Sequence, residues 1–227
     1  MTMAQSSPSI VLVHGFASSF EHNWVQTGWV DILGDFGCVV PEVDLPGHGA
    51  SRRSTDPDDY AHVEEEVYSI LQPPTDAVGF STGAELLLRV AVAHPGTFDR
   101  LVLLGIGDNV FEASDPTIIT DALDGEAEPE DVMTRLFYRL AHSTGNDPKA
   151  LSAFLRRPRV PLGADELEAV TCPVLVVLGD RDMIESADRL VSALPSASFV
   201  SLPGVDHFAT PSDFGAIDAT MRFLGLD

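Results

Sequence analysis

The feature that most constrains this chain is an alternation of short apolar runs with segments of helical spacing. The runs typical of strands are Ile10–Val13, Cys38–Val43, Ala77–Phe80, Leu101–Leu104, Pro173–Leu178 and Ser198–Leu202. Four of them are nearly continuous in valine, leucine and isoleucine, as in strands buried on both faces of a parallel sheet. Helix-period segments lie between the runs, which predicts right-handed βαβ units in an α/β domain with helices on both sheet faces.

One long segment interrupts this alternation. Residues 107–171 contain no run typical of a strand, and four stretches in this region indicate helices: Pro116–Leu123, Pro129–His142, Asp147–Leu155 and Ala164–Ala169. A long insertion after the carboxyl end of a strand is a common position for a lid. The sequence therefore predicts a core domain from residues 1–106 and 172–227, with a helical cap formed by residues 107–171.

Charge and length narrow the classes of partner. The chain has 227 residues, enough for one domain with a substantial core. Thirteen basic and 35 acidic residues give a net charge of −22, which argues against binding to nucleic acid or to anionic membranes. We expect a small-molecule substrate and a monomer or homodimer. Residues 1–9 lack the pattern of a secretory signal, which favours a cytoplasmic location, and Cys38 and Cys172 are expected to be buried free thiols.

The candidate nucleophile is Ser81, in the segment Gly79-Phe80-Ser81-Thr82-Gly83. This segment follows a predicted strand and precedes a predicted helix, which is the context of a nucleophile elbow. In such a sharp turn the serine hydroxyl stands at the carboxyl edge of the sheet, beside the amino end of the following helix. The alternative is an ordinary glycine-serine turn between a strand and a helix.

A serine nucleophile needs a base, and the base needs an orienting acid. His207 is the candidate base, because it follows the last predicted strand in a loop near the carboxyl terminus. The acid is expected after an earlier strand, and Asp182 is preferred over Asp180, which lies very close to its strand end. Asp108 remains a third candidate.

The segment His14-Gly15-Phe16 follows the first predicted strand. Its position predicts an oxyanion hole made by the backbone N–H groups of Phe16 and Thr82. The His14 side chain itself is expected to be a hydrogen-bonded core histidine. Residues that could line the substrate pocket are Gly15, Trp24, Met133, Phe137 and Phe208. No cluster of residues has metal-ligand spacing, and we expect neither a metal nor a cofactor.

With these motifs in place, the chain resembles the α/β-hydrolase superfamily along nearly its whole length, specifically its esterase, lactonase and MenH-like branch. The segment Asp44–Ser51 resembles the family's DLPGHGxS motif, and the segment 179–182 resembles its acid loop. The resemblance implies that His48 is structural. The family's first two strands have no counterpart here, so the resemblance implies a parallel sheet of about six strands, in spatial order 4-3-5-6-7-8 by family numbering. The cap would follow the fourth predicted strand.

The resemblance and the motifs together predict a serine hydrolase that cleaves an ester, lactone or thioester of a small, mainly apolar substrate through an acyl-enzyme. Three alternatives remain: a lyase or C–C bond hydrolase that uses the same triad, a thioesterase for carrier-bound acyl groups, and a non-catalytic binding protein. Ala84 and Glu85 stand where the MenH-like relatives carry an arginine, which disfavours a carboxylate-rich substrate.

Overall fold

The structure is a computed structural model that describes residues 9–125 and 130–226. Its strands are β1 (Ile10–Val13), β2 (Thr75–Phe80), β3 (Phe98–Leu104), β4 (Val174–Gly179) and β5 (Ala197–Leu202). Its α-helices are α1 (Trp29–Asp35), α2 (Val63–Ile70), α3 (Thr82–Ala93), α4 (Thr117–Asp124), α5 (Val132–Ser143), α6 (Pro148–Leu155), α7 (Asp188–Ala193) and α8 (Phe214–Phe223). Four short 3₁₀ turns and one π-helical segment, Glu21–Val25, complete the regular structure of the described residues.

The five strands form one fully parallel sheet in the order β1-β2-β3-β4-β5. One of the six predicted strands, Cys38–Val43, is not formed. Only Val39 bridges to Ser9 beside β1, where the carbonyl of Val39 accepts a hydrogen bond from Ile10. Pro41 cannot donate to a ladder and Val39 is 54% exposed, so this run does not pair further, although Cys38 and Val43 at its two ends are buried in the core. The bridge still lies on the side of β1 on which the family order places that strand.

The core forms two layers, one on each face of the sheet. Alternate residues of β1 belong to different layers, as a period of two requires: Val11 and Val13 pack into one layer, Ile10 and Leu12 into the other. The first layer also contains the apolar residues of α2, α3, α6 and α7, and the second contains those of α1 and α8. This arrangement buries both faces of the sheet and leaves the carboxyl ends of the strands as the edge on which loops meet.

Three helices, α4, α5 and α6, occupy the segment between β3 and β4. They correspond to the first three helices predicted there, although Pro129, the predicted start of the second, lies outside the described residues. The fourth predicted helix is a single 3₁₀ turn, Glu166–Ala169. The turn between α5 and α6 contacts the loop that follows β1 through Thr144 and Asn146. Among the described residues, no helix is long and apolar enough to cross a bilayer.

Candidate active site

Ser81 occupies the turn between β2 and α3 in a backbone conformation that few side chains adopt. Its φ is 51° and its ψ is −118°. Positive φ in a residue other than glycine costs free energy and persists only where the surroundings impose it. Here Ser81 N–H donates to the carbonyl of Leu104 at 2.8 Å, and Glu85 N–H donates to the carbonyl of Ser81 at 3.0 Å. These bonds fix the turn to β3 on one side and to α3 on the other.

The two glycines that flank Ser81 are required by close packing. A Cβ on Gly79 would lie 2.5 Å from the Cα of Ala84, in the first turn of α3. A Cβ on Gly83 would lie 2.2 Å from the carbonyl oxygen of Val13 and 2.5 Å from that of His14. All of these distances are shorter than a carbon atom tolerates. Glycine at both positions therefore lets α3 begin directly against the end of β1, which brings the loop after β1 to the serine.

His207 and Asp182 complete a hydrogen-bonded line with Ser81. The Nε2 atom of His207 lies 3.0 Å from the Ser81 Oγ, and its Nδ1 atom lies 2.9 Å and 3.1 Å from the two carboxylate oxygens of Asp182. The Asp182 side chain is fully buried, and His207 is 5% exposed. The N–H of Ile184 donates to Asp182 Oδ1 at 2.9 Å and holds the carboxylate in place. This geometry suits a base oriented by an acid and directed at a hydroxyl.

The other aspartates near the site are engaged elsewhere. Asp180 Oδ1 accepts from the N–H of Gly204 at 2.6 Å, which joins the loop after β4 to the loop after β5. Asp108 Oδ1 accepts from the N–H of Leu190 at 2.9 Å and joins the loop after β3 to α7. Of the acid candidates, Asp182 is the one whose carboxylate reaches His207 in the described structure.

The two predicted oxyanion donors belong to different parts of the chain, and Phe16, in the loop after β1, lines the same cavity as Ser81. Thr82 is the first residue of α3, and Phe16 lies in the turn that follows β1. Within the described residues, neither backbone N–H group donates to another protein group. The first N–H groups of a helix carry no internal partner and sit at its positive end. The role of these two groups as oxyanion donors stays a prediction.

Two asparagines that the sequence analysis did not single out hold this loop. Asn23 Oδ1 accepts from the N–H of Gly15 at 2.9 Å. Asn146, in the turn between α5 and α6, donates from Nδ2 to the carbonyls of Ala17 and Ser18 at 2.9 and 3.0 Å. Both side chains are buried. A lone asparagine carries no sequence signal for such a role, because its partners here are backbone groups, and those of Asn146 lie far away along the chain.

The two histidines of the upstream motifs are structural. His14 is fully buried, its Nδ1 donates to the carbonyl of Gly15 at 2.8 Å, and its Nε2 accepts from Leu45 N–H at 3.0 Å. The Nδ1 of the buried His48 donates to the carbonyl of Pro46 at 3.0 Å. Burial lowers the pKa of His14, and burial together with the nearby His14 lowers the pKa of His48 well below the ordinary imidazole value. Both rings are therefore neutral at pH 7.

A cavity of about 120 Å³ opens onto Ser81 and His207. Three phenylalanines from different elements form much of its wall: Phe16, Phe137 and Phe208. The ring of Phe137 lies 5.9 Å from that of Phe16 and 5.4 Å from that of Phe208. The remaining lining residues are Ser18, His22, Asn23, Phe80 and Leu140. The cavity is thus largely aromatic and lies directly against the serine hydroxyl.

Two of the predicted pocket residues lie elsewhere. Trp24 is fully buried in the core layer of α1 and α8, where it packs edge-to-face on Trp29 at 5.2 Å, so the prediction of Trp24 as a pocket wall is wrong. Gly15 is not among the lining residues. Its N–H donates a hydrogen bond to the buried Asn23 side chain instead. The side chain of Met133 lies outside what the structure describes. Within residues 9–125 and 130–226, no three His, Cys, Asp or Glu side chains cluster closely enough to hold a metal ion.

Comparison with known proteins places this geometry in a family. The profile of the alpha/beta hydrolase family matches residues 10–216, and the chain belongs to that family. It is 27% identical over 230 residues to a pimeloyl-[acyl-carrier protein] methyl ester esterase of Nitrosomonas europaea, with 89% of each chain covered. It is 25% identical to a monoacylglycerol lipase of Mycolicibacterium smegmatis, over 87% of this chain and 80% of the lipase. Its fold is similar to that of the enol-lactonase of Burkholderia xenovorans, with a TM-score of 0.76, 17% identity, and 97% and 92% of the two chains covered.

Proposed function

We propose that this protein is a serine hydrolase that cleaves the ester bond of a small, mainly apolar substrate through an acyl-enzyme on Ser81. The observation that carries the proposal is the continuous hydrogen-bonded line from the Ser81 hydroxyl through His207 to the buried carboxylate of Asp182. A buried carboxylate against Nδ1 favours the tautomer whose Nε2 accepts a proton from the serine.

The reaction follows from these positions. As Ser81 Oγ bonds to the substrate carbonyl carbon, His207 Nε2 takes the hydroxyl proton, and Asp182 stabilises the imidazolium. The negative oxygen is held by the N–H groups of Phe16 and Thr82. The bond from carbon to the leaving oxygen then breaks, and His207 returns the proton to that oxygen. A water molecule, deprotonated by His207, attacks the acyl-enzyme, releasing the acid and restoring Ser81.

The dimensions of the cavity favour a short acyl group. At about 120 Å³ it is smaller than the 300–1,000 Å³ usual for sites that hold drug-sized ligands. Its phenylalanine walls favour hydrocarbon over charged groups. The proposed reaction on an ester also agrees with the relatives, since a methyl ester esterase and a monoacylglycerol lipase align with nearly the whole chain.

Active-site labelling tests the proposal directly. We expect a fluorophosphonate probe to label the wild-type protein, and a panel of p-nitrophenyl esters to be hydrolysed fastest at short acyl lengths. Ser81→Ala should abolish labelling and lower ester turnover by about 10⁶-fold. Ser69→Ala, which removes a hydroxyl bonded to the Glu66 carbonyl in α2, is the matched control and should behave as wild type. Circular dichroism establishes that each variant is folded.

Asp182→Asn tests whether turnover depends on the hydrogen-bonded line from Ser81 to Asp182 or only on the serine hydroxyl itself. The amide keeps the volume of the carboxylate but favours the wrong imidazole tautomer, and the corresponding change in a serine protease lowers kcat by about 10⁴-fold. We expect a loss of that order, with little change in KM. Wild-type turnover in folded Ser81→Ala or Asp182→Asn would refute the proposal. Faster turnover of a matched thioester than of the oxyester would redirect it to thioester cleavage.

A further inference from the structure

A second cavity, lined by three arginines, stands out in a chain of this acidity. The chain has thirteen basic residues against 35 acidic ones, yet Arg156, Arg157 and Arg159 fall within four positions, just after α6. All three line one cavity of about 140 Å³, together with Ser114 and Glu112 from the loop after β3. It shares no lining residue with the cavity at Ser81. The volume exceeds by far what a single water needs.

Two of the three guanidinium groups already have carboxylate partners. Arg159 Nη1 donates to Glu85 Oε2 at 2.7 Å, and Arg156 Nη1 donates to Asp124 Oδ2 at 2.7 Å. The other oxygen of Glu85 is taken by Arg89, whose Nη2 lies 2.9 Å away. Glu85 and Asp124 are therefore bonded to arginines other than Arg157.

Arg157 is the exception. It is 7% exposed, and the Cζ atom of its guanidinium group lies 4.0 Å from the centre of the Phe154 ring. Its Nη1 donates to the Phe154 carbonyl at 2.8 Å, but its Nε has no hydrogen-bond partner among the described residues. Burial lowers the pKa of Arg157 to about 10, against the attraction of Glu85 and Glu64. A buried cation without a carboxylate partner is costly, and an oxyanion in the cavity that Arg157 lines would offset part of that cost.

We propose that this cavity is a binding site for a small oxyanion, a phosphate or carboxylate group held by Arg157 with Arg156 and Arg159. Guanidinium groups bind such oxygens through paired, charge-assisted hydrogen bonds. The hydroxyl of Ser114, which Arg159 contacts, lies at the same cavity and supplies a neutral donor. Glu112 is exposed and also lines the cavity, where its carboxylate opposes an incoming anion.

Calorimetric titration at constant ionic strength tests the site, with inorganic phosphate and acetate as probes and sodium chloride as the reference. We expect one equivalent of phosphate or acetate to bind the wild-type protein, and the tighter of the two identifies the group. Arg157→Met should weaken binding at least about ten-fold. Arg222→Met removes an exposed arginine that pairs with Asp218 on α8, and it should leave binding unchanged.

Two variants at exposed residues that line the cavity, here called rim variants, leave Arg157 in place. They therefore test anion binding without removing the buried arginine. Ser114→Glu adds a carboxylate at the exposed side of the cavity and should abolish binding, whereas Glu112→Gln removes one and should tighten it. Absence of binding by both anions, or affinities unchanged in Arg157→Met and Ser114→Glu, would overturn the proposal. If Arg157→Met fails to fold, the opposite signs expected for the two rim variants still decide it.

Discussion

Replacing Asn146 with alanine removes the side chain that joins the turn between α5 and α6 to the loop after β1, residues 14–18, which holds one predicted oxyanion donor and is called the oxyanion loop below. Its Nδ2 contacts the carbonyls of Ala17 and Ser18 and the Thr144 hydroxyl, and its Oδ1 accepts from Gly49 N–H at 2.7 Å. An amide nitrogen has two hydrogens, so these contacts amount to about three full hydrogen bonds. At about 1 kcal/mol each, the variant should lose ~3 kcal/mol of unfolding free energy.

The effect on activity has a separate origin. Phe16 precedes Ala17, whose φ of 60° is held by bonds from both Asn146 and Thr144. If Phe16 N–H is an oxyanion donor as proposed, releasing Ala17 lets that N–H move away from the developing oxyanion. Loss of one such donor costs about 10²- to 10³-fold in kcat, which is the upper limit for Asn146→Ala. Because Thr144 Oγ1 still lies 2.8 Å from the Ala17 carbonyl oxygen, within hydrogen-bond distance, we expect a ten- to hundred-fold loss in kcat, with KM nearly unchanged.

The assay combines urea unfolding with p-nitrophenyl ester kinetics and inhibition by a trifluoromethyl ketone, which forms an oxyanion on the serine. Asn109→Ala is the matched control, since Asn109 also accepts from a glycine N–H, that of Gly107 at 2.9 Å, away from the oxyanion loop. The inhibition constant of Asn146→Ala should rise in proportion to its loss of kcat/KM. If Asn146→Ala loses stability but keeps the kcat and inhibition constant of Asn109→Ala, the positioning argument is wrong.

Three further predictions concern packing, pocket size and pH. Gly83→Ala places a Cβ against the carbonyl of Val13 and should lower the free energy of unfolding by about 1–3 kcal/mol, as measured by urea unfolding. It should also reduce labelling of Ser81 by the fluorophosphonate probe. Gly34→Ala, which adds a Cβ in open space, is the control and should change neither quantity. Phe137→Ala removes part of the cavity wall, so the ester panel should shift its optimum towards longer acyl chains; an unchanged optimum would mean that Phe137 does not limit the acyl group. Because the folded-state pKa of His48 is depressed, the stability contributed by its neutral ring is present above pH 6.5 and is lost as the pH falls below it. His48→Asn, which retains a donor for the Pro46 carbonyl, should flatten the fall in unfolding free energy between pH 7 and 5 by up to ~1.4 kcal/mol per pH unit; an equal slope in both proteins would contradict this.

Local sequence patterns were enough to predict the sheet and the serine turn. Continuous apolar runs indicate buried parallel strands. The glycines that flank Ser81 lie so close to neighbouring backbone atoms that no residue with a Cβ fits. The strand predicted over Cys38–Val43 does not form. This segment has the apolar composition of a strand, but its Pro41 lacks the N–H that pairing needs. Composition alone does not show whether a run finds a partner.

The walls of the pocket were harder to predict than the serine turn. Trp24 and Phe137 look alike as apolar residues near motifs, yet one lies in the core and the other in the cavity. Which side an aromatic residue takes depends on how its helix is placed over the sheet. The role of Asn146 could not be predicted either, because its side chain bonds backbone groups more than a hundred positions away along the chain.

The pairing of the strands has a consequence for how the protein folds. Ala77 of β2 pairs with Leu101 of β3, and Val174 of β4 with Ala197 of β5, so each pair closes a short stretch of chain around one helix. Pairing of β1 with β2, and of β3 with β4, closes far longer stretches. Contacts of long sequence separation form late because chain entropy opposes them.

The hydrogen-bonded line at the proposed active site is divided between these two local units. Ser81 follows β2, whereas Asp182 and His207 follow β4 and β5. Neither unit contains a complete nucleophile and base, so activity requires the long-range docking of β3 on β4. In refolding from urea we therefore expect helical signal to return before reactivity with a fluorophosphonate. We likewise expect molecules in which β3 has not yet paired with β4 to be unreactive towards the probe.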